Sequence, residues 1–139
     1  MSVTHLADIA NAARVKVTDV LAPGFPSMPI QYDNHETDKA EYPDPIWVRV
    51  SVLPSDSKHV GTGTVGRFRV TGTMIVQIFQ ELGKGTADTL SVLDTIRDAF
   101  TSITEDGITW RVPTVNNIGR SGTWWQTNIV CPFYSDNLK

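Results

Sequence analysis

Cysteine is almost absent from this 139-residue chain: Cys131 is the single one, and a lone thiol excludes an internal disulfide. That composition fits a reducing compartment. Without a C-x-x-C pair, a zinc knuckle and a thiol-redox motif are excluded as well. Histidine is scarce too. His5, His35 and His59 are the only three, and they lie far apart, on a terminus or in polar segments. They read as exposed side chains, not as a catalytic or metal-binding set. No stretch of apolar residues is long enough for a membrane-spanning helix, which needs about 18 or more in succession. The opening MSVTHLADIANAARVKVTDVL has no apolar core of signal-peptide type, so no secretory leader is expected. A basic excess is missing: the formal net charge is −3, whereas binders that grip nucleic acid regardless of sequence usually carry a positive balance.

What remains is the composition of an ordinary globular domain, and the length predicts one domain over residues 1–139. Residues 3–21 carry Leu6, Ile9, Ala10, Ala13, Val17, Val20 and Leu21 at helical spacing. Ser2 or Thr4 would cap that helix, and Pro23-Gly24 would end it. Residues 28–32 predict a short strand, and the polar, proline-terminated 33–45 a surface loop. Residues 46–53 alternate cleanly, with Ile46, Val48, Val50 and Val52 on one face and Trp47, Arg49, Ser51 and Leu53 on the other. The Gly/Ser/Thr-rich 54–66 predicts a flexible hairpin connection to a strand over 67–80. A second helix is expected over about 86–102, with Leu90, Leu93, Ile96, Arg97 and Phe100 as its stripe and Thr86 as N-cap. Strands over 107–113 and 123–133 complete the order α-β-β-β-α-β-β. That order predicts an α+β fold: a mostly antiparallel sheet, a long β-hairpin, and two helices packed on one face.

The sheet face opposite the helices is unusual. It collects Arg49, Arg67, Arg69, Thr71, Thr73, Gln126 and Asn128, but also Trp47, Trp124, Ile75 and Phe79. Aromatics mixed with arginine and small polar residues have the composition of an interface. A solvent-facing antiparallel sheet with a few stray aromatics accounts for the same pattern. Length favours the interface. A strand over 67–80 runs roughly 45 Å at about 3.3 Å per residue, against a radius of gyration near 14 Å for a domain of this size. Such a hairpin overhangs its own core unless it bends, and Gly72 is the candidate bulge. An overhanging hairpin is unstable alone and seeks a neighbour. Trp47, Arg49, Arg67, Arg69, Thr71, Thr73, Trp124 and Gln126 are therefore the candidate oligomer and partner contacts.

A case for chemistry does not assemble. His35, Glu36, Asp33 and Asp38 lack the order and glycine position of a calcium loop. Residues 61–66, GTGTVG, spell G-x-G-x-x-G, but they precede a strand and do not open a helix, so the dinucleotide reading fails on context. Gly83-Lys84-Gly85-Thr86 lacks full phosphate-loop spacing and reads as turn chemistry. Asp94 and Asp98, i and i+4 with Arg97 between them, read as a solvated helix face. Cys131 alternates with Trp125 and Ile129, as a buried structural thiol would. Arg49, Arg67 and Arg69 beside Trp47 and Trp124 would suit a nucleic-acid strand, a reading the acidic total weakens. No catalytic residue, cofactor or metal is expected.

The order of short motifs carries more. Residues 29–34, PIQYDN, are followed by WVRVSV (47–52), GRFRVTG (66–72), VQIF (76–79), GKGT (83–86), and finally WQTNIVCPF (125–133). Over about 1–135 this succession resembles the tail-terminator, or tail-completion, proteins of bacteriophages with long non-contractile tails, the minor tail protein U type. The resemblance implies a structural virion protein made in the bacterial cytoplasm. It implies a hexameric ring at the head-proximal end of the tail tube. That ring would stop tube polymerisation and meet a head-completion (connector) protein, with DNA passing through the lumen without sequence-specific binding. It implies no enzyme activity and no membrane. Another connector or tail-tube-like subunit is the nearest alternative, and a ligand- or nucleic-acid-binding module a more distant one.

Overall fold

The computed structural model describes residues 6–26, 28–32, 45–60, 67–83 and 85–138, with the side chains of 55–60, 67–68 and 137–138 left aside. The elements in chain order are α1 (Leu6–Leu21), β1 (Ile30–Tyr32), β2 (Ile46–Val60), β3 (Arg67–Glu81), α2 (Ala87–Phe100), β4 (Ile103–Glu105), β5 (Ile108–Trp110), β6 (Thr114–Ser121) and β7 (Trp124–Leu138). They form one seven-stranded sheet in the order β1-β2-β3-β7-β5-β4, with β6 also paired to β7. Every pairing is antiparallel except that of β1 with β2. Two helices on a largely antiparallel sheet make this an α+β fold, as the sequence predicts.

Ile9, Ala13, Val17 and Leu21 recur every fourth residue and are the buried stripe of α1. Leu6 falls off that stripe and is exposed. Backbone bonds from Ala22 to Thr18 (3.1 Å) and, across Pro23-Gly24, from Phe25 to Leu21 (2.9 Å) close the end of the helix. In α2 the buried residues are Thr89, Val92, Leu93, Ile96 and Phe100. Leu90, expected on the stripe, points to solvent at 56% exposure. Thr86 occupies the N-cap position without a side-chain capping bond. Its carbonyl accepts the Leu90 amide at 2.9 Å. Gly83 (φ +85°) and Gly85 (φ +75°) take left-handed conformations between β3 and α2, which is the turn chemistry that glycine supplies there.

The core side of the sheet follows from strand alternation. Val48, Val50 and Val52 face Ile78, Val76 and Met74 across β2–β3. These in turn face Thr127, Ile129 and Cys131 across β3–β7. Both helices lie over this side and merge with it into one buried cluster. Trp110 closes its β5 end, edge-on to Phe100 (centroids 4.6 Å) and 5.1 Å from Phe133. Each such large side chain removed from water stabilises the fold by about 1.5–3 kcal/mol.

The strands are longer and more numerous than the sequence suggests. β2, β3 and β7 each span 15 residues, roughly 50 Å when extended. Residues 54–60, expected in a flexible connection, continue β2, while 61–66 lie outside the described residues. β7 runs on past Phe133 to Leu138. β3 is paired along its length to β2 on one side and β7 on the other, so the long strands form a three-stranded unit and not a lone hairpin. The bulge lies in β2, where the register shifts between Pro54 and Ser57, and not in β3 at Gly72. β6, absent from the expected order, pairs with the first half of β7, and β5 with its second half.

Candidate partner surface

The side of the sheet turned away from the helices has two differently built ends. At one, Trp47 and its register partner Phe79 stack with ring centroids 4.3 Å apart and planes 12° apart. Trp124 meets Trp47 edge-on at 6.1 Å. The Arg49 guanidinium lies 5.6 Å from the Trp47 ring and 5.7 Å from that of Phe79, a cation–π arrangement. Gln126, the register partner of Phe79 on β7, donates from Nε2 to Asn128 Oδ1 at 2.9 Å. Trp47 and Phe79 are fully buried and Gln126 is nearly so. This end is a second small core, built on the face that alternation assigns to the outside.

At the other end Arg69 and Asp136 are register partners and form a two-pronged ion pair. Arg69 Nε donates to Oδ1 at 2.8 Å and Nη2 to Oδ2 at 3.0 Å. The Asp136 hydrogen bond raises the Arg69 pKa above its ordinary value, against the opposing pull of desolvation. Two guanidiniums lie over the Tyr134 ring, Arg69 at 4.2 Å and Arg111 at 4.8 Å. Between the ends, Thr71, Thr73, Ile75, Gln77 and Asn128 form a half-buried floor.

The structure thus brings the sequence candidates onto one face but in different settings. Trp47 and Gln126 sit within it. Arg49, Arg69, Thr71, Thr73 and Trp124 are half-buried. Arg67 joins through its backbone, paired with Val60 and Leu138, and its side chain lies outside the described residues. Sequence reasoning missed Tyr134, Asp136 and Arg111. Tyr134 and Asp136 continue the Trp124-to-Val130 alternation in step, so extending the last strand beyond Phe133 would have found them.

Among the described residues no three His, Cys, Asp or Glu side chains gather to hold a metal ion. Cys131 is buried beneath the helices, and burial pushes its thiol up to about 12, where the nucleophilic thiolate is scarce at neutral pH. No helix among the described residues is long and apolar enough to cross a membrane.

Fold and surface together define a small α+β module with both described helices on one face of its sheet. A family model described as "Phage tail terminator protein" matches residues 8–133. The chain belongs to the phage tail terminator family, a family of structural proteins of the phage tail, and is accordingly a virion component that associates with other tail parts. A solved structure shares the fold with a TM-score of 0.65, covering 93% of this chain and 93% of that chain at 16% identity. Comparison with curated proteins gives no match.

Proposed function

We propose that this protein is a terminator of the minor tail protein U type, acting in a long non-contractile tail. It forms a ring, a hexamer, on the last layer of tail-tube subunits at the head-proximal end. There it stops tube polymerisation and presents its other surface to the head-completion (connector) protein. The observation that carries this reading is the family match over residues 8–133, taken with a sheet face that neither described helix covers.

The mechanism is a blocked template. A subunit that offers the tube end a complementary surface gains binding energy there. A different opposite surface leaves the next tube subunit nothing to match, so growth stops. The face away from the helices supplies partner contacts through Arg49, Thr71, Thr73, Trp124 and Arg69, held from beneath by Trp47 and Gln126. Arg67 extends that surface along β3. The slightly acidic total keeps phosphate retention low while DNA crosses the lumen.

The test is to add the protein to polymerising tail tubes and image them. The expected result is growth arrest with extra density at one tube end. Tubes that lengthen by incorporating the protein would make it a tube subunit, and tubes that ignore it while connector complexes bind it would make it a connector piece.

A further inference from the structure

β6 is the least explained element. Its outer edge pairs with no strand among the described residues, and all of residues 114–118 are exposed. It is an edge strand of the kind that proteins usually protect. Protection is partial, from the register shift between Asn117 and Gly119 and from Arg120. Beside it lies an apolar patch. Ile118 is 53% exposed, Trp125 39% and Val115 37%. The placement follows from the register. Val115 and Arg120 pair with Ile129 and Trp125 on the helix-covered side. Trp125 also pairs with Gln80, which Thr89 in the first turn of α2 contacts. Among the described residues no helix follows α2 on this side.

The outer face of α1 offers a different kind of surface. Asn11, Val15 and Asp19, spaced i, i+4, i+8 on α1, form a ridge between two grooves. The larger, about 500 Å³, is completed by Ile103, Glu105 and Asp106, among others. A ridge between grooves is how a helix accepts a packed neighbour. The rim of the larger groove carries Asp19, Glu105 and Asp106 against Lys16, which pairs with Glu105 at 3.1 Å, so the balance is negative. Residues 107–135 hold no Asp or Glu, and Arg111 and Arg120 are their only charges.

We propose that a second copy of this chain covers β6, with the outer face of its α1 laid over Val115, Ile118 and Trp125. Arg120 then faces the acidic rim around Asp19. The contact is heterologous, joining two different surfaces, so it repeats from copy to copy and closes into a ring when the rotation allows. The apolar residues anchor the contact, and the charges set its register. This assignment rests on the ring reading above and names the surfaces that would build it.

Disulfide trapping in assembled tails tests it. Val15→Cys and Ile118→Cys are placed in one chain, where the buried Cys131 stays out of reach of oxidant. Mild oxidation should give a ladder of covalently linked copies, and neither single variant should give one. Tails that contain the protein but yield no ladder would overturn the contact alone. Dimers from Ile118→Cys by itself would also overturn it, since they demand a two-fold contact. A chain missing from tails altogether would overturn the functional reading and the contact with it. As a second measurement, Arg120→Glu should cut incorporation into tails at least tenfold, and adding Asp19→Arg should restore most of it. Unchanged incorporation of Arg120→Glu in a folded protein would argue against the proposed pairing.

Discussion

Gly72 on β3 lies directly under the ring of its register partner Phe133 on β7. A β-carbon built at Gly72 would come within 2.6 Å of Phe133 Cζ and 2.9 Å of the Leu53 carbonyl oxygen. The missing side chain lets a large aromatic fill the end of the core where β2 bulges past β3. Gly72→Ala should therefore destabilise the protein by about 1–3 kcal/mol through overpacking. Urea unfolding measures this, and adding Phe133→Leu should recover part of the loss. A neutral Gly72→Ala would mean the ring moves aside without cost.

Trp47 is the keystone of the small core on the face away from the helices. Trp47→Ala should lower stability by roughly 3–5 kcal/mol, as for a large buried aromatic. Trp47→Phe should cost less, because it keeps a ring against Phe79. If Trp47→Ala unfolds at the same urea concentration as the parent, the stack is not structural.

Gln80 ties β3 to α2 and to the segment leading into β2. It is 1% exposed. Its Nε2 donates to the Pro45 carbonyl at 3.1 Å, and its Oε1 accepts from Thr89 Oγ1 at 3.3 Å. Gln80→Leu leaves buried polar groups without these bonds and should cost about 1–3 kcal/mol. Thr89→Val added to it should cost less than the sum of the two singles, a coupling a double-mutant cycle reads.

Cys131 predicts a loss of stability in alkali. Its pKa rises from an ordinary 9.0 to about 12 in the folded chain. Below pH 9 the thiol is protonated in both states and has no effect on the balance. Between about 9 and 12 the unfolded chain loses the proton while the folded one keeps it, so stability falls as pH rises. The slope from this group approaches about 1.4 kcal/mol per pH unit. Cys131→Ala should remove that slope, and thiol reagents should label the wild type only as it unfolds. Fast labelling of the folded protein at pH 8 would contradict the burial.

Several features were legible in the residues. The four-residue recurrence in α1, the alternation in 46–53 and 67–80, and the glycines at 83 and 85 each specify a local geometry. Summed, they gave the α+β class, the two helices and the paired long strands. The order of motifs from residue 29 to residue 133 pointed to the family as well. The candidate contacts were found to share one face because alternation alone puts them there.

Other features were decided by partners distant in sequence. Residues 114–121, TVNNIGRS, show no sustained alternation, and they become β6 because the first half of β7 offers a ladder to pair with. Residues 54–60 hold a proline, serines and an aspartate, and they stay extended because β3 continues beside them. Trp47 alternates outward yet is fully buried, since stacking on Phe79 and edge contact with Trp124 close water out. Local pattern fixes what a segment can be, because it depends on backbone geometry and the period of the side chains. Which segments lie edge to edge, and which outward ring is covered, depends on contacts between residues tens of positions apart, and only the folded chain brings those together.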